Sequence, residues 1–458
     1  MKKLFNILVI LMALVLFATG CNSTSLPEDS TDNKVTDTKP TDKPTEAPTD
    51  KPTEAPTDKP TEAPTEEPSE TLKPSERGEN AVYSADFAKY KVVADDASGG
   101  EVKTLANNLI DTVNSCWGVT TTLVYDKDTE VSDYEILVGD TDRPETKEFG
   151  ESLEDGECGF RVIGKKIVIL GSEDQYTETA IVLFANFMLH DKDTSVKQYM
   201  TEENTHVVDA TNMLSIMSYN VRVDYGNNNI SLVSTMIRNY MPDILGVQEA
   251  DQTWMKLLNE RLSKNGYAYV GIGRDSGGKG ETSAIFYRTD KLEVLDSVTL
   301  WLSDTPDIVS KVKGSNCNRI VTMAVFKRIS DGKVFVHANT HLDNSNADVR
   351  SQQVTFLDQY VKDFANGLEF MVTGDFNFQP DNRVYAQLMD LKYENCAKLA
   401  KLARGRDDNT YTGGSMIDFC FRHDTTAFEP YFYAVCDELI DGKTPSDHHP
   451  IFLMIELK

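Results

Sequence analysis

Closely spaced CxxC cysteines are missing from this chain, and so is an excess of positive charge. None of the seven cysteines stands in a CxxC pair, which argues against a structural zinc site. Lysine and arginine number 46 against 73 aspartate and glutamate residues, and the formal net charge is −27. A dedicated nucleic-acid-binding domain carries the opposite balance. A nuclease is not excluded, because a bound divalent cation changes the field around an acidic site.

Long hydrophobic runs are also scarce, and the main one stands at the start of the chain. Lys2 and Lys3 precede the apolar run LFNILVILMALVLF, which ends on ATGC at Cys21. The run is short for a membrane span and is typical of a signal peptide with a lipobox-like end. The alternative is an ordinary signal peptide with an incidental cysteine. We expect cleavage before Cys21 and acylation of its thiol, which would anchor the protein to the extracellular face of the membrane, as in Gram-positive-type surface lipoproteins.

Residues 22–79 are predicted to be a disordered Pro/Thr-rich linker. The unit TDKPTEAP occurs at 41–48, 49–56 and 57–64, and the segment holds ten of the seventeen prolines. Such a segment cannot bury enough apolar surface to fold, and its prolines favour extended polyproline II. With a rise of about 3.1 Å per residue, the extended segment could span more than about 100 Å. That reach would carry the rest of the protein through cell-wall polymer, unless the segment is a spacer with no length requirement.

The acidity is unevenly distributed along the chain. Residues 22–79 carry −8 and residues 80–210 carry −15, whereas residues 211–458 carry only −6, from 32 acidic and 26 basic side chains. Several of those 32 acids are candidate site residues. The outer surface of the C-terminal region is therefore expected to be near neutral.

Residues 80–210 are predicted to form a small α/β accessory domain. Strands are expected at YKVVAD, TTTLVYD and YEILVGD, a hairpin at FRVIGKKIVILG, and helices at VKTLANNLIDTVNSCWG and ETAIVLFANFMLH. The region weakly resembles the accessory domain found before some glycoside hydrolase catalytic domains, which implies contact with glycan or cell wall, or a spacer. His190 and His206 are interpreted as surface or boundary residues. Cys116 and Cys158 are a possible disulfide pair, and Cys420 is expected to be a buried free thiol.

Six apolar strands in residues 211–458 end in short polar clusters. The strings are LSIMSYN, DILGVQE, VFVHANTHLD, LEFMVTGDFN, MIDF and SDHHP. Continuous apolar runs of this kind are typical of buried strands whose ends build a site. The clusters offer Asn220, Glu249, His341, Asp375, Asn377, Asp418, Asp447 and His448. Carboxylate and amide oxygens with two imidazoles indicate a hydrolytic centre that uses Mg²⁺ or Mn²⁺.

The order and spacing of these clusters resemble the endonuclease/exonuclease/phosphatase superfamily, which has the deoxyribonuclease I-like fold. The resemblance covers about residues 212–458 and rests on QE, GETSAIFYR, NTHLD, GDFN, IDF and SDHHP. The string WLSDTPD, followed by the isolated Arg319, is similar to a bacterial branch of that superfamily. The resemblance implies a catalytic domain at 211–458, folded as a four-layer α-β-β-α sandwich of two packed mixed sheets. It also implies divalent-metal-dependent hydrolysis of a phosphoester.

The resemblance also assigns roles to individual residues. Glu249 would be the principal metal ligand, with Asn220 and Asp447 beside it. His448 would transfer a proton and be oriented by Asp418, and His341 would pair with Glu281 and face the phosphate. The remaining catalytic candidates are Asp375, Asn377 and Arg319.

Three alternatives accompany these assignments. His449 is interpreted as a flanking residue, although the residues alone do not separate it from His448. His337 falls on the same strand face as His341 and is interpreted as a core histidine. Arg319 could serve in a structural ion pair instead of binding phosphate.

A basic cluster precedes the loop DDNTYTGG. Lys398, Lys401, Arg404 and Arg406 would lie on a solvated helix face or help to hold a polyanionic substrate.

The substrate class is less sharply indicated than the reaction. Phosphodiesters of nucleic acid are favoured over lipids. An enzyme that cleaves lipids is expected to insert an exposed aromatic or aliphatic hairpin into the membrane, and the sequence shows no such hairpin. A sphingomyelinase-like or phosphoinositide phosphatase-like activity on a lipid head group is the alternative. A further alternative is a catalytically inactive surface binding module. Such a module would be expected to lack one of the metal-ligand residues, and all of the candidate ligand residues are present in this sequence.

Overall fold

The computed structural model describes residues 81–186, 199–200, 204–222 and 229–458. The predicted leader, the proline-rich linker and His190 lie outside these residues, so the expectations for them stay predictions. In the described part of the chain, no helix is long and apolar enough to cross a membrane.

The accessory region folds as an α/β unit, as predicted. Its strands are β1 (Val82–Tyr83), β2 (Lys91–Ala94), β3 (Leu123–Tyr125), β4 (Glu135–Val138), β5 (Glu157–Ile163), β6 (Lys166–Gly171), β7 (Tyr199–Met200) and β8 (His206–Asp209). Its helices are α1 (Gly100–Trp117), α2 (Pro144–Gly150) and α3 (Asp174–Phe184). Six strands form one sheet in the order β3-β2-β4-β6-β5-β8, and β1 pairs with β7. The β5–β6 hairpin turns at Gly164, which has a positive φ of 61°.

The C-terminal region supplies the remaining elements. Its strands are β9 (Met213–Asn220), β10 (Ile244–Ala250), β11 (Tyr267–Val270), β12 (Gly273–Asp275), β13 (Lys279–Arg288), β14 (Leu292–Trp301), β15 (Ile320–Arg328), β16 (Val334–His341), β17 (Phe370–Asp375), β18 (Tyr393–Asn395), β19 (Leu402–Arg404), β20 (Asp418–His423), β21 (Phe428–Val435) and β22 (Ile451–Leu457). Its helices are α4 (Ile230–Tyr240), α5 (Gln252–Leu262), α6 (Ala347–Ala365), α7 (Arg383–Asp390) and α8 (Cys396–Leu399).

Two mixed sheets form the centre of this region. One runs β11-β13-β10-β9-β22-β21-β19, with β12 paired to β13, and the other runs β14-β15-β16-β17-β20-β18. The pairs β9/β10 and β16/β17 are parallel, whereas β20 and β22 run antiparallel to β17 and β9. The carboxyl ends of four central strands therefore meet the amino ends of β20 and β22 at one edge.

Apolar side chains on both faces of these sheets create four layers. Ile216 and Leu453 of the first sheet share a buried cluster with Phe326 and Met371 of the second. The outer faces pack against α4 and α5 on one side and against α6 and α7 on the other. This arrangement confirms the predicted sandwich, and burial on both faces explains why the central strands read as continuous apolar runs.

The accessory region packs directly on the C-terminal region. A single buried cluster contains Leu105 and Leu183 of the former together with Val233 and Phe452 of the latter. Among the residues described, polar contacts also cross this boundary, such as the bond from Arg404 Nη2 to Asn186 Oδ1 at 3.1 Å. The predicted boundary at residue 210 stays a prediction, but the two regions share buried surface.

Candidate active site

The predicted site residues converge at the edge where the central strands end. Asn220, His341 and Asp375 are the last residues of β9, β16 and β17. Asp418 is the first residue of β20 and lies opposite Asp375 in the strand register. Because β22 runs antiparallel to β9, the loop before it brings His448 to the same edge.

Local backbone geometry directs Glu249 toward this edge. Glu249 has a φ of 62°, in the left-handed region that non-glycine residues seldom adopt. The pairing of β10 with β13 shifts register between Val247 and Ala250, so a bulge surrounds this residue. Bulges and strained φ values re-aim side chains and concentrate at functional sites.

The turn after β17 is similarly constrained. A Cβ on Gly374 would lie 2.2 Å from the carbonyl oxygen of Thr340, so glycine is required there. Asn377 has a φ of 52°, its N–H donates to Asp375 Oδ1 at 3.0 Å, and its amide donates to the Leu342 carbonyl at 3.0 Å. Asn377 thus orients Asp375 in addition to lying beside it.

His448 and Asp418 form the predicted imidazole–carboxylate pair. Nδ1 of His448 lies 2.8 Å from Asp418 Oδ2, and its Nε2 lies 3.8 Å from Asp375 Oδ2. Burial opposes the charged imidazole, but the carboxylates of Asp418, Asp375 and Asp447 outweigh it and raise the pKa of His448 to about 10. A divalent cation beside these carboxylates would offset this effect, because it competes for the same negative charge.

Two residues of the loop DDNTYTGG support that pair, and sequence reasoning did not single them out. The Thr410 hydroxyl oxygen accepts from the N–H groups of Ile417 and Asp418, both at 3.0 Å. The Tyr411 ring lies against His448, with ring centroids 5.1 Å apart. The loop therefore fixes both members of the pair.

Asn220 joins the two carboxylates at the centre of the site. Its amide nitrogen donates to Glu249 Oε1 at 2.9 Å and to Asp375 Oδ2 at 3.0 Å. Its oxygen accepts from the Arg222 N–H at 3.0 Å, so Asn220 presents a donor to the carboxylates and not the oxygen that a metal ligand would use. Burial raises the pKa of Asp375 to about 7, with Asp418 adding to the effect, and burial likewise raises the pKa of Glu249.

The donor set fits a hard divalent cation. Ligand atoms of Glu249, His341 and Asp375 lie within 4.8 Å of one another, and so do those of Asp375, Asp418 and His448. Oδ1 of Asp418 is buried without a hydrogen-bond partner among the described residues. A bound cation would stabilise the charged carboxylates of Glu249 and Asp375, whose pKa values burial raises. It would also give the unsatisfied oxygen of Asp418 a partner. Glu249 and Asp375 are the residues placed to hold it.

Asp447 lies beside this set and outside both ligand groups. Its Oδ2 forms an ion pair with Nη1 of Arg222. It is still close enough to raise the pKa of Glu249. In this arrangement Asp447 acts on the site through its charge, and its predicted role as a ligand stays a prediction.

His341 and Arg319 form a second part of the site. Nε2 of His341 lies 3.4 Å from Asp375 Oδ2, and burial, with Arg319 and Arg274 nearby, holds its pKa well below the ordinary value. Arg319 is 4% exposed, and its Nε and Nη1 have no hydrogen-bond partner in the described part of the chain. A structural ion pair for Arg319, the alternative considered from sequence, is not found among these residues.

The expected pairing of His341 with Glu281 is wrong. Both carboxylate oxygens of Glu281 accept hydrogen bonds from Arg274, at 2.6 and 2.9 Å. Glu281 still lines a small cavity with His341 and Arg319. Arg274, which sequence reasoning did not single out, is the side chain that holds Glu281.

Three further expectations have clear outcomes. His337 is fully buried and bonds Thr373 Oγ1 at 3.0 Å, as expected of a core histidine. Cys420 is a buried free thiol, as expected. His206 is a half-buried boundary residue whose Nε2 lies 2.6 Å from the Tyr431 hydroxyl.

The basic cluster does not form a solvated helix face. Helix α8 ends at Leu399, and Lys401 pairs with Glu429 and Glu456. Arg404 is buried and pairs with Glu438. These partners account for Lys401 and Arg404 without a polyanionic ligand.

Comparison with known proteins identifies the family. The profile of the Endonuclease/Exonuclease/phosphatase family matches residues 217–448, and a profile described as PT disordered repeat matches residues 39–74. The chain is 29% identical over 172 residues to Nocturnin of Drosophila melanogaster, covering 34% of this chain and 25% of that protein. It is 32% identical over 146 residues to Protein angel of the same fly, covering 31% and 40%. The alignments thus span less than half of either relative.

A solved structure matches the same region. The endonuclease/exonuclease/phosphatase from Bacteroides vulgatus superposes with a TM-score of 0.50 and 29% identity, covering 54% of this chain and 99% of that one. The chain belongs to the endonuclease/exonuclease/phosphatase family.

Proposed function

We propose that this protein is an exported, lipid-anchored hydrolase of phosphodiesters that uses Mg²⁺ or Mn²⁺. The main support for this proposal is the position of Asp375, which belongs to both candidate ligand groups and lies between His341 and His448. A divalent cation supplies charge neutralisation for the phosphate. The protein's own groups supply proton transfer and anion binding on either side of it.

Each side chain has a part that its contacts support. His448, oriented by Asp418, is placed to accept a proton from water, and His341 faces the phosphate with its pKa lowered. Arg319 offers two buried, unpartnered nitrogens, Nε and Nη1, as donors to phosphate oxygens. Asn377 and Asn220 hold Asp375 in place.

Nucleic acid is the proposed substrate class, at the extracellular face of the membrane. The support is the predicted export through the leader and acylated Cys21, together with a site built around a phosphate. The near-neutral C-terminal region and the paired basic cluster argue for recognition at a few phosphates and not along an extended backbone.

A lipid head group is the second candidate, because one loop exposes aliphatic side chains. Ile308 and Val309 are 62% and 41% exposed in the loop that runs from β14 to Arg319. The sequence had indicated no such surface. An exposed aliphatic pair on a loop that leads into the site suits contact with a lipid surface.

A parallel assay separates these substrates. Plasmid DNA, RNA, sphingomyelin micelles and inositol phosphates would each be incubated with the full chain and Mg²⁺ or Mn²⁺. Cleavage of nucleic acid alone supports the proposal, whereas release of phosphocholine with intact nucleic acid supports the second candidate. A double variant that combines Ile308→Ser and Val309→Ser should leave the cleavage of nucleic acid unchanged. It should reduce activity on sphingomyelin micelles only if lipid is the substrate.

The predicted anchor has its own test. Expression in a bacterial host with radiolabelled palmitate should label the wild-type chain in the membrane fraction. Cys21→Ala should abolish the label and release the protein. An unlabelled wild-type chain in the culture medium would contradict lipid anchoring while leaving the enzymatic proposal intact. The accessory region is proposed to contact glycan or cell wall, which a pull-down with purified cell wall would check.

A further inference from the structure

Arg274 and Glu281 form a two-point ion pair in the wall of the active site. Nη1 of Arg274 donates to Glu281 Oε2 at 2.6 Å and Nη2 donates to Oε1 at 2.9 Å. The two side chains are 16% and 24% exposed, so water screens the pair only partly. The fork-to-fork geometry uses both oxygens of the carboxylate.

The position of this pair is fixed by the segment that carries Arg319. The carbonyl oxygen of Arg274 accepts from Trp301 Nε1 at 2.7 Å. The amide of Asn318 donates to Asp275 Oδ1 at 2.9 Å. Because Asn318 directly precedes Arg319, the short strand β12 and the Arg319 segment are held together.

Arg319 shares a cavity with this pair but does not pair with its carboxylate. Arg274, Glu281, Arg319 and His341 line one small cavity. Nε and Nη1 of Arg319 are buried and unpartnered among the described residues. A buried, unpaired guanidinium is costly, and a carboxylate in the same cavity is the group that would normally neutralise it. Here that carboxylate is already engaged by Arg274.

We infer that Arg274 is a positioning residue that keeps Arg319 free for substrate by neutralising Glu281. Without Arg274, Glu281 would be an uncompensated carboxylate beside the unpaired guanidinium of Arg319, and the two would pair. Arg319 would then have to break that pair before it could bind a phosphate oxygen. This inference rests on the proposed role of Arg319 as a phosphate ligand.

A double-mutant cycle tests it in the full chain with Mg²⁺. The variants are Arg274→Gln, Glu281→Gln and the two together. The readouts are kcat and KM for bis-p-nitrophenyl phosphate, and the inhibition constant of inorganic phosphate. Arg274→Gln should raise KM and the phosphate inhibition constant by about tenfold, the effect of one lost charge-assisted contact, with a smaller change in kcat.

The double variant gives the decisive readout. Because removal of the Glu281 charge also removes the competitor for Arg319, it should return both constants to within about threefold of wild type. Glu281→Gln alone supplies the reference values of both constants against which the double variant is compared. Arg274→Lys, which retains the charge, should resemble wild type even if Arg274→Gln folds poorly, and thermal unfolding would report on folding for every variant.

Two outcomes would overturn the inference. If the double variant is as impaired as Arg274→Gln, Arg274 contacts the substrate itself or supports the fold. If Glu281→Gln abolishes turnover, Glu281 takes part in the chemistry. A separate variant tests the proposed role of Arg319 itself. If Arg319→Ala leaves KM and the phosphate inhibition constant unchanged, Arg319 does not bind phosphate, whatever the double-mutant cycle shows.

Discussion

Nδ1 of His448 lies 2.8 Å from Oδ2 of Asp418, and both side chains are buried. The carboxylate therefore fixes which imidazole nitrogen faces the rest of the site, and Nε2 points toward Asp375. His448→Ala should lower kcat by roughly 10²–10⁴, the usual range for a group that transfers a proton in catalysis. Steady-state kinetics with bis-p-nitrophenyl phosphate would measure the change.

His449 provides a matched control for that variant. Its backbone N–H bonds the Thr410 carbonyl at 2.7 Å, and no carboxylate is hydrogen-bonded to its ring among the residues described. His449→Ala should leave kcat nearly unchanged. An inactive His449→Ala beside an active, folded His448→Ala would show that proton transfer is assigned to the wrong residue.

Glu249→Gln should shift metal activation to higher Mg²⁺ concentration. Glu249 belongs to one ligand group with Asp375, and its side chain is directed there by a backbone of positive φ. An amide is a weaker ligand for a hard cation than a carboxylate. A magnesium titration of activity would give the half-activating concentration. Glu293→Gln, at an exposed strand position, is the control, and equal titration curves for both variants would refute a ligand role for Glu249.

Asp343→Asn should destabilise the protein by about 2–3 kcal/mol at neutral pH, because it disrupts a buried carboxylate. Asp343 is fully buried and accepts from Ser315, Asn316, Ser345 and Asn346. Burial alone would raise its pKa, but these hydrogen bonds outweigh burial and lower the pKa to about 2. Urea unfolding would measure the loss.

The pH dependence follows from the same shift. The folded-state pKa of Asp343 is depressed, so its stabilisation is fully present above the ordinary aspartate pKa of about 4 and is lost as pH falls toward about 2. The difference in unfolding free energy between wild type and Asp343→Asn should shrink over that window. Asp348→Asn, at a largely exposed side chain, should change stability by less than about 0.5 kcal/mol.

Arg404→Met should destabilise the packing between the accessory and C-terminal regions. Nη2 of Arg404 donates to Asn186, Tyr240 and Glu438, and its loss leaves Glu438 without that cation. We expect a loss of about 3 kcal/mol in unfolding free energy, as for a broken buried pair. The exposed pair of Lys256 and Glu260 supplies the control Lys256→Met, which should have little effect. Equal stability of the two variants would contradict the structural role of Arg404.

The sequence predicted the site residues well where buried strands end in clusters of polar side chains. The apolar runs that stop on Asn220, Glu249, Asp375 and Asp418 indicated buried strands whose ends build a site, and the family resemblance implied the sandwich. The pairing of His448 with Asp418 also followed from the resemblance. Buried strands carry this information because both of their faces must be apolar.

Contacts between distant segments were not predictable in the same way. Arg274 holds Glu281 because a hairpin brings β12 beside β13, and nothing in the local pattern distinguishes Arg274 from a surface arginine. The basic cluster looked like a helix face because Lys398 and Lys401 are three residues apart, but the helix stops at Leu399. The shared core of the two regions also depends on tertiary packing that a segment-by-segment reading does not contain.

We propose that Asp375 and its neighbours form a metal-dependent phosphodiesterase centre. The most direct measurement is hydrolysis of bis-p-nitrophenyl phosphate by the chelator-stripped full chain, before and after addition of Mg²⁺ or Mn²⁺, with Asp375→Asn in parallel. We predict that the stripped protein is inactive, that either ion restores turnover, and that folded Asp375→Asn stays inactive with both. Turnover that survives chelation, no turnover with either ion, or full activity of Asp375→Asn would contradict a metal-dependent centre at Asp375.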